Sequence, residues 1–241
     1  MTTQFIHPSL GPVRLRISSA ARHIVATWKP GYLSVTLPRG VTSGQLEQAL
    51  KQMSPRLLKV RPAVTRWFED GTLVDCGELK ICFQADSRLS RCCVYDMAEQ
   101  HSEGVQAVVR FSTDVDWNSA ENLRGLTRLS LRLMYTAASR FLPGMVEGVF
   151  RQLGVSPKSW SVGRGQRILG TCRGDGHITI SCAVMMLPEH LRRFIVCHEA
   201  AHLAHHDHSP AFHALVNRYV GGREKQLIAE LKAFTWPLPR I

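Results

Sequence analysis

Residues 198–213 read HEAAHLAHHDHSPAFH and hold six of the chain's eleven histidines. No other stretch narrows the fold as far, because its spacing has chemical meaning only on a helix. Successive α-helical residues advance about 100° and ~1.5 Å. His198 and His202 therefore stand about 40° apart and ~6 Å along the axis, where two imidazoles can converge on one ion. Leu191, Phe194, Ile195 and His198 share an i, i+3, i+4, i+7 stripe, which turns the first histidine inward. Glu199 projects from the adjacent face, about 60° from His202, close enough to touch a polarised water without binding the ion. That is the HExxH arrangement of metal-assisted hydrolysis.

A hydrolytic zinc needs a third protein ligand and an open position. His205 lies on the same stripe but about 10 Å from His198 along a straight helix, too far for one ion. His206 fails for a similar reason. His208 would point about 80° away if the helix continued, and it can swing back only if the helix ends near His206-Asp207. Asp207 favours a turn and Ser209-Pro210 blocks further helix, so that stop is expected and His208 is the third ligand. A carboxylate from a later helix, Glu224 or Glu230, is the alternative. His205, His206 and His213 are expected in solvent or behind the ligands.

The rest of the chain bounds the setting. Its 241 residues are 44% hydrophobic and 20% charged, which suits a folded protein with a real core. No apolar segment follows a basic one in MTTQFIHPSLGPVRLR, so no secretory signal is expected. The longest apolar runs fall far short of a membrane span. A cytoplasmic location and no membrane partner are therefore expected. The seven cysteines form no CxxC pair, so they read as reduced, mostly half-buried thiols rather than zinc ligands. That holds for Cys197, which precedes His198, and for Cys172, whose Gly-rich turn could approach the cleft. The net charge of +11 favours polyanionic partners, nucleic acid or nucleotides, and serves solubility equally well.

Hydropathy patterns change along the chain. VRLRI, HIVATW and YLSVTLP alternate with period two and are separated by SSAAR and KPG, as in two or three antiparallel strands. VTSGQLEQALKQMS follows with helical spacing behind a Thr42 or Ser43 cap. TLVDCG, LKICFQ, CCVYDM and QAVVRFS are further short strands. From Ser119 to about Leu153 the period is helical, interrupted at Pro143-Gly144, giving two helices or one kinked helix. WSVGRGQRILG and HITISCAV read as two strands around the turn TCRGDG. Pro188-Glu189 then opens the histidine helix. AFHALVNRYV and REKQLIAELKAF are two more helices. A β-rich region over 1–115 and a mainly helical one over 116–241 are expected.

Several of these segments carry a resemblance. HEAAHLAHHDHSPAF is similar to the HE-x-x-H-x5-HS-x-x-F signature of the YgjP-like zinc metallopeptidases, relatives of the SprT-like and wider zincin proteins. RGQRILGTCRGDGHITIS resembles that family's basic hairpin before the active helix. GPVRLRISSAARHIVATWKPGYLSVTLPRG resembles its N-terminal β-region, and FEDGTL fits as well. The resemblance implies an α+β fold: an N-terminal β-rich region, then a zincin-like helical domain with a β-hairpin beside the HExxH helix. It implies zinc on His198, His202 and His208, with Glu199 as the catalytic glutamate. Leu169, Thr171, His213 and the Ala200-Ala201 pair depart from the family's usual residues without removing a ligand or the base.

The expected chemistry is hydrolysis of a peptide-like bond in a peptide or protein substrate. Glu199 takes a proton from the attacking water and passes it to the leaving amine. Arg167, His213 and Tyr219 are candidates for holding the developing oxyanion. Two other readings stay open: a metal-dependent phosphohydrolase acting on nucleotides, and a nucleic-acid-associated protein whose zinc is structural. Three histidines beside a glutamate leave an open site, whereas structural zinc is closed by four ligands.

Overall fold

A computed structural model describes residues 3–29, 32–60, 66–100 and 104–240. The first sheet contains β1 (Thr3–His7), β2 (Gly11–Ile17), β3 (Val25–Lys29) and β4 (Tyr32–Leu37) in the order β1-β2-β4-β3. The expected strands are present, with β1 added. Pro30-Gly31 of the expected KPG turn lie outside the described residues. The sheet is not purely antiparallel, because the two inner strands β2 and β4 run parallel. Period-two alternation marks which side chains share a face and says nothing of which strand lies alongside.

Val13, Leu33, Val35 and Leu37 point from this sheet onto Leu50 and Leu57 of α1 (Ser43–Lys59). Full burial of each such side chain stabilises by about 1.5–3 kcal/mol. Thr42 caps α1 in a reciprocal box with Gln45. The helix continues one turn beyond the expected end, through Pro55. Burial of Leu57 and a 3.0 Å hydrogen bond from Trp28 Nε1 to the Leu57 carbonyl hold that last turn.

The second sheet contains β5 (Leu73–Asp75), β6 (Leu79–Ala85), β7 (Cys93–Gln100) and β8 (Gly104–Phe111), ordered β5-β6-β8-β7. Its inner pair, β6 and β8, is again parallel, and its outer pairs are antiparallel. α2 (Ala120–Leu153) is one helix that includes Pro143. A third sheet holds β9 (Ser159–Gly163), β10 (Gly170–Cys172) and β11 (His177–Ser181), ordered β10-β11-β9. Of WSVGRGQRILG only its start lies in a strand, β9, while β10 begins at its last residue, Gly170, and runs into the expected turn TCRGDG. The end of HITISCAV is a buried 3-10 turn, Cys182–Met186, rather than strand. Three helices complete the chain: α3 (Glu189–Ala201), α4 (Pro210–Tyr219) and α5 (Glu224–Ala233). The mixed α+β class is as expected, and no described helix is long and apolar enough to cross a membrane.

By their contacts the residues form two units, Met1–Trp67 with Trp117–Leu123, and Phe68–Asp116 with Arg124–Ile241. The division does not follow the change of character near residue 115, because the second sheet groups with the later helices. Arg192 of α3 shows why. Its guanidinium, almost fully buried, donates to the carbonyls of Cys76 (2.9 Å), Met185 (2.8 Å) and Leu187 (2.7 Å) and to Glu78 Oε2 (2.7 Å).

Candidate metal centre

α3 delivers the first half of the site. Leu191, Phe194 and Ile195 are buried on its inward stripe, and His198 follows them in the expected direction. The helix ends at Ala201, earlier than the expected stop near Asp207. His202 is itself the cap, and the next backbone bonds tighten to three-residue spacing (His202 to Glu199, Leu203 to Ala200, Ala204 to Ala201). The turn folds the His205 carbonyl back onto His202 Nδ1 at 2.9 Å. A carbonyl can only accept, so Nδ1 carries the proton and Nε2 is left for an ion.

His208 comes from the turn before α4. Ser209 caps that helix by accepting from the Phe212 backbone N–H, and Pro210 takes its first position. His208 Nε2 then lies 3.3 Å from His198 Nε2. One nitrogen from each of His198, His202 and His208 falls within 4.8 Å of the others. Phe212 is fully buried beneath all three. It stacks on His202 at 4.4 Å between centroids and meets His198 and His208 edge-on at 4.9 and 4.8 Å.

Electrostatics favours the ligand form of the histidines. Burial, then the nearby His202, His208 and His213, lowers His198 from 6.5 to about 4. Burial lowers His202 as well. Both rings are therefore neutral at pH 7, as metal binding requires. Burial pushes Glu199 the other way, from 4.5 to about 7, a value suited to passing protons near neutrality.

Glu199 owes its position to Gly170 on β10. A Cβ at residue 170 would sit 2.5 Å from Glu199 Cγ and Oε1, so only a glycine lets the carboxylate lie against the strand. Gly170 stands inside the hairpin RGQRILGTCRGDG, yet nothing local distinguishes it from the segment's other glycines. Cys172, two residues on, is raised by burial and by Glu199, and burial lifts Cys197 to about 11. Both are poor nucleophiles at pH 7, in keeping with inert packing.

The alternative third ligands are engaged elsewhere. Glu224 is buried with Oε1 at 2.7 Å from His213 Nδ1, and Glu230 pairs with His190 at 2.8 Å. The three candidates for oxyanion contact separate. The His213 ring lies 6.2 Å from that of His208. Arg167 is exposed in the β9–β10 loop, where its carbonyl accepts from Arg240 at 3.3 Å. Tyr219 lines a different hollow of about 440 Å³, with Phe194, Cys197 and Arg218.

Three imidazoles converge at the end of a helix with a buried glutamate alongside, an arrangement that could hold a metal ion. The YgjP-like metallopeptidase domain matches residues 22–233, and the chain belongs to that family. Membership makes it a metallopeptidase-type hydrolase and implies a metal ion, for which the histidine triad is suited. No curated protein sequence matches it. Among solved structures, the metallopeptidase zymogen of Pyrococcus abyssi abylysin is similar at 23% identity and a TM-score of 0.33. That match covers 37% of this chain and 90% of the other.

Proposed function

We propose that the chain is a zinc-dependent peptidase in which His198, His202 and His208 hold the ion and Glu199 is the general base. The convergence of three imidazole nitrogens within 4.8 Å carries this reading. An all-nitrogen set suits zinc, whereas magnesium favours oxygen ligands. The pairing of Glu224 and Glu230 with histidines outside the triad supports this over a magnesium-type phosphohydrolase. Bound there, zinc supplies a Lewis acid that makes water nucleophilic near neutral pH.

The chain's own residues do the rest. Glu199, raised to about 7, accepts the water's proton as it attacks the peptide carbonyl and returns it to the leaving amine. Phe212 closes the floor under the imidazoles and keeps their orientation. His213 is the contact to the substrate best supported by position, since Glu224 fixes its ring through Nδ1 and leaves Nε2 free to meet a bound peptide. Seven free cysteines support a reducing, cytoplasmic setting.

The test is metal content of the purified protein, wild type beside His208→Ala and His205→Ala, followed by peptide hydrolysis by wild type and Glu199→Gln. About one zinc per chain, lost in His208→Ala and kept in His205→Ala, is expected. Glu199→Gln should keep zinc and lose hydrolysis. Full activity in that variant would remove Glu199 from the mechanism.

A further inference from the structure

The N-terminal sheet covers α1 with one face and leaves the other bare. Val13, Leu33, Val35 and Trp28 face the core. By alternation, Arg14 and Arg16 of β2, Lys29 of β3, and Tyr32, Ser34 and Thr36 of β4 face away from it. The Arg14 guanidinium lies over the Tyr32 ring at 4.3 Å.

Charge on this face is one-sided. The first acidic residue of the chain is Glu47, on α1, so none of the four strands carries a carboxylate. The second sheet, with the same strand order and senses, makes the contrast. On its corresponding face Lys80 stands opposite Asp75, and Arg110 pairs with Asp96. One copy of the scaffold sets carboxylates beside its cations; the other has none, and its Arg14 donates to the neutral Gln4 Oε1 at 3.2 Å.

Three cations, an aromatic plane and two hydroxyls on one sheet face point to a polyanion with planar groups. Arg14, Arg16 and Lys29 suit phosphates, and Tyr32 under Arg14 suits base stacking. Ser34 and Thr36 offer donors and acceptors to base edges. A duplex shields those edges, and its major groove admits a helix or two-stranded ribbon rather than a broad sheet face. An acidic peptide would leave the ring and the hydroxyls unused. We propose that the bare face of the N-terminal sheet binds single-stranded nucleic acid through Arg14, Arg16, Lys29 and Tyr32. This site stands independently of the peptidase reading.

The test is fluorescence anisotropy of the full chain with a labelled 12-nucleotide oligouridylate between 50 and 200 mM salt. Three phosphate contacts predict a log–log slope of about −2, since each contributes roughly 0.7 on a single strand. Arg14→Gln/Arg16→Gln should flatten the slope by about 1.4. Lys80→Gln/Arg110→Gln, an equal charge change on the second sheet, should leave it alone. Tyr32→Leu should weaken binding about tenfold at an unchanged slope, which a purely electrostatic surface would not do. If the arginine double variant fails to fold, the exposed Lys29→Gln gives the same readout at about half the size. Absence of binding at 50 mM salt, or equal losses in the two double variants, would overturn the proposal. So would equal binding of a 12-base-pair duplex, or competition by polyglutamate as strong as that by the oligonucleotide.

Discussion

The two four-stranded sheets share an order and a pattern of strand senses, and each is followed by a helix, yet their surroundings diverge. The first packs on α1 around Leu50 and Leu57 and keeps an acid-free face. The second sets carboxylates beside the cations of its own outer face and gives its β5–β6 turn to Arg192, on the helix that carries His198 and is capped by His202. One topology thus packs on α1 in one place and buttresses the helix that carries His198 in the other. The difference lies in a few side chains, because strand order fixes the backbone while the outward residues decide what it meets.

That contrast breaks most readily at Arg192. Arg192→Met removes four hydrogen bonds and leaves three buried carbonyls and Glu78 without their donor. A loss of about 3–5 kcal/mol is expected from urea unfolding, accompanied by weaker metal retention. A change below about 1 kcal/mol would mean that the second sheet does not buttress α3.

Gly170→Ala tests the other wall of the site. The new methyl must displace Glu199, so turnover should fall about 100-fold while zinc content stays at the wild-type level. Equal losses of metal and activity would show that the hairpin holds the histidines rather than the base.

Titration of the metal-free protein separates the groups within the site. Glu199 sits near 7 when folded against 4.5 when free, so the folded state binds its proton more tightly. Its contribution is fully present below pH 4.5 and is lost as pH rises through 7. His198, near 4 when folded against 6.5, acts oppositely and costs stability as pH falls from 6.5 through 4. Glu199→Gln should therefore flatten only the upper limb, leaving the metal-free variant about 3 kcal/mol more stable than wild type at pH 8. Parallel stability curves for the two proteins would place the carboxylate in water.

The smallest effect belongs to the first sheet. Trp28→Phe removes one N–H donor to the Leu57 carbonyl and should cost about 1 kcal/mol, read as a lower thermal midpoint at unchanged zinc content. A fall in zinc content would mean that the effect of the substitution is not confined to the last turn of α1.

Local periodicity by itself determined the parts of this protein that depend on neighbours along the chain. Helical spacing joined His198 to His202 and set Glu199 beside them, period two marked most of the strands, and Thr42 announced α1. His208 lies beside His198 and His202, but the helix had already ended at Ala201, ahead of the expected stop at Ser209-Pro210. Tertiary structure decided the rest. The helix ends at Ala201 because the His205 carbonyl closes back on His202, a contact that no breaker residue signals. Glu224 pairs with His213 rather than joining the triad, and Gly170 leaves room for Glu199. Arg192 reaches Glu78, 114 residues away. A side chain's face follows from its own few neighbours, whereas its partner follows from packing among segments far apart in sequence.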